Sequence, residues 1–387
     1  MKKKIAILGS TGSIGVTTLK IIAENKNLFK VNLLSTNKNI RILKKQIKQF
    51  KVKNVIIHDI HKHNESKVYF KKKKINLFQN ITDYKKKNKN KLDYVMSAII
   101  GLDGFEPTLN VIDYTIRIAI ANKESIICGW NLIKRKLKKF NTEFIPIDSE
   151  HFSIFELIKY EKYKNIKKIF ITASGGPFIN FPLKNFNKVK PKHALRHPSW
   201  KMGKKISIDS ATLMNKVFEV IEARNIFDIN FKQISILTHP NSYIHSIIKF
   251  DNGLIKILAH EPDMKIPIYN SLNKFVKKGI ATKEVDLKIL NDLKLKKIDE
   301  KKFISIKLLK NLPNYTSLYE TALITINDFL VLKFLENRIN FKKLIFLINK
   351  ISNLEEFQKF KKIKPKNLKD IYHLRDYVSS KMNSLAI

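Results

Sequence analysis

Three groups of residues in this chain have the types and spacings that do chemistry. The first is Gly9-x-x-Gly12-x-x-Gly15, set between an apolar run and a stretch of helical spacing. Glycines placed so let a backbone turn tightly and approach a pyrophosphate, which then rests on the N-terminus of the next helix. An ordinary glycine-rich strand-to-helix turn is the competing reading. The second group is Asp148-Ser149-Glu150, with Glu219 and Glu222 later on a predicted helix. Carboxylate oxygens suit Mg²⁺ or Mn²⁺, with Co²⁺ as a third candidate, and substrate oxygens would complete the octahedron. On an extended segment Asp148 and Glu150 point to the same side. Acids at i and i+2 also simply begin helices, and Glu219 and Glu222 also simply face water.

The third group begins with Ser174-Gly175-Gly176 after an apolar run, an anion nest by its composition. Ser210, Asn215 and Lys216 fall on or at the start of one predicted helix that begins at Asp209 or Ser210 and runs to about Asn225. Asn215 and Glu219 are i and i+4, hence on one face, so a single helix would offer phosphate contacts at one end and a metal ligand at the other. His197-Pro198-Ser199-Trp200-Lys201-Met202-Gly203 reads as a lid closing over a ligand, or as a surface loop anchored by its tryptophan.

The elements that must hold these groups follow from periodicity. Residues 3–8, Val31–Ser35, Asn54–His58, Tyr94–Ala98, Ile116–Ala121 and Phe144–Ile147 read as strands separated by helical or polar stretches. That alternation predicts a mostly parallel, doubly wound, Rossmann-like sheet to about residue 148. Residues 61–91, rich in lysine, read as exposed helix and loop. At the end of the second strand, Thr36-Asn37-Lys38-Asn39 offers no acid for the ribose hydroxyls of NAD and one cation for a 2′-phosphate, which favours NADP(H). A mixed α/β region follows, with a helix over His151–Tyr163, a strand over Lys168–Thr172, a long proline-rich loop over 177–204 and a hairpin turning at Asp251-Asn252-Gly253. From Tyr319 the pattern is helical. The expected division is 1–148 for the dinucleotide, 149–273 for catalysis with a flap at about 197–204, a linker over 274–300, and a helical C-terminal domain over 301–387.

Composition narrows the class. The 387 residues carry a formal charge of +42, but the lysines are dispersed and accompany abundant isoleucine and asparagine. That is the mark of an A/T-biased genome and a solvated surface more than of a nucleic-acid-binding face. The 11 glycines are under half of an average content of about 7%, so those that remain mark constrained positions. No apolar run reaches a membrane span, one cysteine excludes an intrachain disulfide framework, and a cytoplasmic protein without a membrane or specific nucleic-acid partner is expected.

Taken together the motifs closely resemble the 1-deoxy-D-xylulose 5-phosphate reductoisomerase family. They are Gly9-Ser10-Thr11-Gly12-Ser13-Ile14-Gly15, Ala121-Asn122-Lys123-Glu124-Ser125, Pro146-Ile147-Asp148-Ser149-Glu150-His151, Ser174-Gly175-Gly176-Pro177-Phe178, Arg196-His197-Pro198-Ser199-Trp200, Asp209-Ser210-Ala211-Thr212 with Met214-Asn215-Lys216, and Glu261-Pro262-Asp263-Met264. They stand in the family's order over about residues 4–267.

The resemblance implies a homodimer that rearranges and reduces a small phosphorylated sugar with NADPH and a divalent metal. It implies Asp148, Glu150 and Glu219 as metal ligands, which with Lys123 carry the reaction. The substrate phosphate is expected among Ser174, Ser210, Asn215 and Lys216 beside His197, with Lys123 and Ser149 at the metal-chelated end. Thr11, Gly12, Ser13, Ile14, Asn37, Lys38, Asn39, Asn122, Glu124 and Gly203 are expected at the cofactor, and Trp200 and Met202 in the flap.

The pattern is departed from at Asn37, Ala173 and His260, where glycine is usual, at Lys201, where a small polar residue is, and at Val217-Phe218 for Gly-Leu. The other readings are a semialdehyde dehydrogenase using Cys128 as nucleophile and a basic nucleic-acid-binding protein.

Overall fold

In the computed structural model, residues 1–161, 165–197, 200, 203–272, 274–276 and 279–385 are described. They form two compact units. The first comprises Met1–Ser125, Leu132–Phe152 and Met264–Ala281, and the second Ile126–Asn131, Ser153–Asp263 and Thr282–Ile387. This partition cuts across the boundaries read along the chain, because it follows contact and not chain order.

In the first unit seven parallel strands are β1 (Lys3–Leu8), β2 (Phe29–Thr36), β3 (Asn54–Ile57), β4 (Asn76–Phe78), β5 (Leu92–Ser97), β6 (Thr115–Ile120) and β7 (Glu143–Pro146), in the order β4-β3-β2-β1-β5-β6-β7. The order reverses between β1 and β5, the switch point at which open α/β sheets bind ligands. Ile5, Ile7, Leu34, Val55, Tyr94 and Met96 bury the sheet against flanking helices, and Ile268 and Leu272 of the helix Lys265–Leu272 join that core. Tyr94 and Arg117 hold this helix through Ser271, by an Oη···Oγ contact of 2.7 Å and an NH1-to-carbonyl bond of 3.1 Å. Residues 61–91, expected as helix and loop, also contain the short strand β4 between two helices.

The second unit is built on a mixed five-stranded sheet, in the order β11-β10-β8-β9-β12, formed by β8 (Ile166–Ala173), β9 (Ile234–Thr238), β10 (Ile244–Phe250), β11 (Ile255–Ala259) and β12 (Lys296–Lys297). β10 and β11 are the hairpin read from the sequence, and β8 and β9 run parallel. Among its described residues, the loop expected over 177–204 holds three short helical pieces, Gly176–Phe178, Leu183–Lys188 and Pro191–Ala194, each opened at or near a proline. Prolines there start helical turns because their fixed φ suits the first helical position.

A second difference concerns the site directly. The single helix expected from Asp209 to Asn225 is two helices, Lys204–Ala211 and Met214–Phe227, broken at Leu213 in the left-handed region (φ 60°). Ser210 therefore closes one helix while Asn215 and Lys216 open the next. All of Met214–Phe227 except Asn215 and Ile226 is buried, which explains its lack of an apolar stripe: a helix covered on every side has no solvent face. Its last turn is tied by Arg224 NH2 to Glu320 Oε1 at 2.7 Å, and Ser317 also donates to Glu320. Burial pushes the Glu320 carboxyl up, and the adjacent guanidinium opposes that shift.

Removing one partner of a buried pair strands the other charge, at a cost of about 3–5 kcal/mol. Glu320→Ala is expected to lose that much in urea unfolding, and the apolar pair Arg224→Met with Glu320→Leu to recover most of it. A single variant as stable as the parent would show that the pair does not anchor the helix.

Candidate active site

The glycine loop follows β1 at the switch point. A Cβ on Gly9 would lie 2.6 Å from the Ala98 carbonyl, and one on Gly15 would lie 2.5 Å from the Gly9 carbonyl, so both glycines are required by the protein's own packing. Gly12 is different. A Cβ there meets the Gly9 oxygen at an ordinary 3.5 Å, yet Gly12 caps the helix Ser13–Glu24 with no side-chain bond. Its bare backbone leaves the helix N-terminus open to an anion, which fits a dinucleotide pyrophosphate.

Around the loop Thr11 Oγ1 meets Thr36 Oγ1 at 2.8 Å, Ser13 is exposed, and Ile14 packs on the core. At the end of β2, Asn37 is exposed, Lys38 lies 3.4 Å from Asp59, and Asn39 caps the next helix by accepting from the Ile42 N–H. Asn122 is buried and ties the Ile99 and Gly101 carbonyls to Glu124. In the second unit Gly203 caps the start of Lys204–Ala211, with room for a side chain where its Cβ would stand.

Also in the first unit, Asp148 and Glu150 stand at a helix start and not on an extended segment. The helix Ser149–Leu157 begins directly after Asp148, whose Oδ1 accepts from the Glu150 N–H at 3.3 Å. Glu150 sits in the first turn and takes a 2.5 Å bond from Ser149 Oγ. Two side chains lie against Asp148: Lys123 Nζ is 3.2 Å from Oδ2, and the fully buried His151 has its Nδ1 3.2 Å from Oδ1. Sequence reasoning leaves His151 out of the site, although its i+3 spacing from Asp148 on a helix is the available signal. The carboxylates of Asp148 and Glu150 are hard oxygen donors of the kind that fits a divalent ion.

In the second unit the phosphate-type residues converge. Ser174 follows β8, and Gly176 presses on the end of the helix Lys204–Ala211, since a Cβ there would sit 2.8 Å from the Ser210 carbonyl. Ser174 Oγ accepts from the Gly176 N–H at 3.1 Å and faces His197 Nε2 at 3.1 Å. The Trp200 N–H donates to His197 Nδ1 at 2.9 Å. With Nδ1 accepting, the neutral imidazole carries its proton on Nε2 and donates it to Ser174. Burial, with Lys216 nearby, pushes His197 down to about 4, so the ring is neutral at physiological pH. Ser174 lines a cavity of about 690 Å³ whose walls include Phe178, Phe181, Lys188 and Arg196.

On Met214–Phe227, Lys216 Nζ and Asn215 Nδ2 both donate to Glu219, one to each carboxylate oxygen. Glu219 is 2% exposed and Glu222 1%, so neither faces water. Trp200 is partly buried against the ring of His245, a residue that carries no signal in the sequence. Lys201 and Met202 lie outside the described residues. Cys128, the nucleophile of the semialdehyde reading, is fully buried.

Comparison with known proteins gives one answer along the whole chain. Residues 5–129 match the 1-deoxy-D-xylulose 5-phosphate reductoisomerase family, residues 144–227 its C-terminal domain family, and residues 260–380 the DXP reductoisomerase C-terminal domain. The reductoisomerase of Pelagibacter ubique (strain HTCC1062) is 53% identical over 387 residues, covering 100% of both chains. That of Sulfurihydrogenibium sp. (strain YO3AOP1) is 38% identical over 96% of this chain and 95% of its own. Among solved structures, the Zymomonas mobilis reductoisomerase in complex with NADPH superposes with a TM-score of 0.87 at 29% identity, over 100% of both chains. A DOX-P reductoisomerase in complex with NADPH, fosmidomycin and magnesium gives 0.89 at 29% identity, over 99% of this chain and 98% of that one.

Two outcomes are expected from the geometry. Gly15→Ala loses folding stability whereas Gly12→Val keeps it and loses NADPH affinity at least tenfold; equal stability losses in both would remove the distinction between packing and ligand glycines. In NMR titrations His197 protonates near pH 4 in the free protein, and inorganic phosphate raises that value, because an adjacent anion favours the imidazolium. A His197 titration unmoved by phosphate would place the anion elsewhere.

Proposed function

This chain belongs to the 1-deoxy-D-xylulose 5-phosphate reductoisomerase family, and from that membership we propose which of its residues carry the family's reaction. The protein converts 1-deoxy-D-xylulose 5-phosphate to 2-C-methyl-D-erythritol 4-phosphate, using NADPH and a divalent metal, in non-mevalonate isoprenoid synthesis. The reaction moves a carbon–carbon bond and then reduces the aldehyde so formed. When bound, the metal supplies Lewis acidity to the substrate's carbonyl and neighbouring hydroxyl, and NADPH supplies the hydride.

On this reading Ser174, Ser210, Asn215, Lys216 and His197 hold the substrate phosphate. Asp148, Glu150 and Glu219 hold the metal, Mg²⁺ or Mn²⁺, and Lys123 and Ser149 orient the chelated end of the substrate. Thr11, Gly12, Ser13, Ile14, Asn122, Glu124 and Gly203 contact NADPH, with Asn37, Lys38 and Asn39 at its 2′-phosphate end. Trp200 and Met202 close the flap and exclude water, so that phosphate binding remote from the reacting carbons drives the ordering of the site.

The observation that carries this reading is the buried Lys216–Glu219 pair. The Lys216 ammonium satisfies Glu219. A phosphate at Ser174 competes for that ammonium, and Glu219 then takes a divalent cation in its place. Phosphate and metal therefore bind with positive coupling, and linkage makes the coupling reciprocal.

The same proposal includes a cytoplasmic homodimer. The edge strand β11 supports the second copy, since Ile255 and Ile257 with the adjacent Leu254 are about half exposed, and an exposed apolar edge favours pairing. The functional division into 1–148, 149–273, a 274–300 linker and 301–387 belongs to it as well.

The test is NADPH oxidation with 1-deoxy-D-xylulose 5-phosphate. Chelation is expected to abolish turnover, and Mg²⁺ or Mn²⁺ to restore it. Glu219→Gln is expected to lower kcat at least 100-fold while the Kd for NADPH stays within twofold. Turnover that survives chelation, or an active Glu219→Gln variant, would overturn the ligand assignment.

A further inference from the structure

The hairpin β10–β11 contains an irregularity beside the flap. Ile244 pairs with Ala259 and Ser246 with Leu258, so His245 is the extra residue of a bulge. Bulges re-aim one side chain out of the strand's alternation. The His245 ring is 2% exposed and lies over the ring of His260, which is 9% exposed, with centroids 3.8 Å apart and planes at 21°.

Hydrogen bonds fix both rings. His245 Nε2–H donates to the His260 carbonyl at 3.2 Å, and His260 Nδ1–H donates to the Glu261 carbonyl at 2.6 Å. The His260 N–H is itself bound to the Tyr243 carbonyl at 2.9 Å. The Trp200 indole stands nearly edge-on to His245, with ring centroids 6.2 Å apart and planes at 70°. Trp200 is thus held at two points: its N–H on His197 beside Ser174, and its ring on the histidine stack.

We propose that His260 is a positioning residue for the flap, holding the His245 ring as the seat for Trp200 and thereby setting the affinity for substrate. The inference rests on the reductoisomerase reading of the site. Its physical basis is conformational. Without a ring at position 260 the His245 imidazole loses its stacking partner and tilts within the space left. The Trp200 indole then has no single seat, and closing the flap must order both rings at the expense of binding energy. Once closed, the reacting atoms are unchanged, so the cost falls on KM and not on kcat. The NADPH contacts of the glycine loop take no part.

The experiment compares the parent chain with His260→Gly, glycine being the residue the family pattern has at this position, and with His260→Phe, which keeps a planar ring. Steady-state kinetics are read together with ¹⁹F NMR of the 5-fluorotryptophan-labelled protein. The chain has two tryptophans, and Trp200→Phe assigns the Trp200 resonance. His260→Gly is expected to raise the substrate KM about fivefold, with kcat and the NADPH KM within twofold, and to shift or broaden the Trp200 resonance while the Trp130 resonance stays. His260→Phe is expected to restore the KM to within twofold and the narrow resonance. A Trp200 resonance and substrate KM unchanged in His260→Gly would overturn the inference, as would a His260→Phe variant no better than glycine. A parent chain without turnover would instead refute the reductoisomerase reading, and the ¹⁹F signal still reports on the stack in that case. If His260→Gly does not fold, His260→Ala is read in its place by the same criteria.

Discussion

A carboxylate buried in the middle of a helix costs several kcal/mol unless a cation is held against it, and Glu219 is such a carboxylate. Lys216, one turn earlier, supplies the charge, and Asn215 takes the other oxygen. Much of the second unit serves to make that arrangement stable. The helix that carries it is covered on nearly every side and is pinned at its far end by Arg224 and Glu320. Its near end starts at a left-handed Leu213, which turns the chain so that Ser210 ends one helix as Asn215 and Lys216 begin the next. Gly176 then brings the end of β8 against Ser210, so Ser174 and His197 meet the same corner.

The distribution of charge supports the same logic. A chain of +42 repels itself broadly, and its scarce acids are not spent on uniform neutralisation. Several are buried or partly buried where they meet particular cations: Asp148 with Lys123, Glu219 with Lys216, Glu320 with Arg224. Two of these groups carry predicted ligands.

The sequence carries the parts of the fold that depend on local pattern. The strand β1, the glycine loop and the β10–β11 hairpin are legible because burial on both faces, close backbone approach and a Gly253 turn each leave a residue-level mark. The break at Leu213 is not legible, since nothing in a leucine announces a left-handed φ. β4 is three residues long, too short for a period to show. For Asp148 and Glu150 an extended segment and a helix start both stay open, because an i, i+2 spacing carries no information on whether a helix starts between them. Glu219 and Glu222 read as solvent-facing because acids usually are; only the surrounding tertiary structure buries them. Motif resemblance supplies their functional reading where spacing leaves it open. The histidine stack beneath Trp200 is invisible for a similar reason, since it depends on a bulge that only strand pairing reveals.

The central claim is that Lys216 is shared between Glu219 and the substrate phosphate, so that phosphate prepares the site for metal. Titration of Mn²⁺ followed by electron paramagnetic resonance, with and without saturating inorganic phosphate, tests it directly. The account predicts that phosphate tightens Mn²⁺ binding at least fivefold in the parent chain, and that Lys216→Met abolishes the effect. Mn²⁺ affinity that is indifferent to phosphate in the parent chain would contradict it.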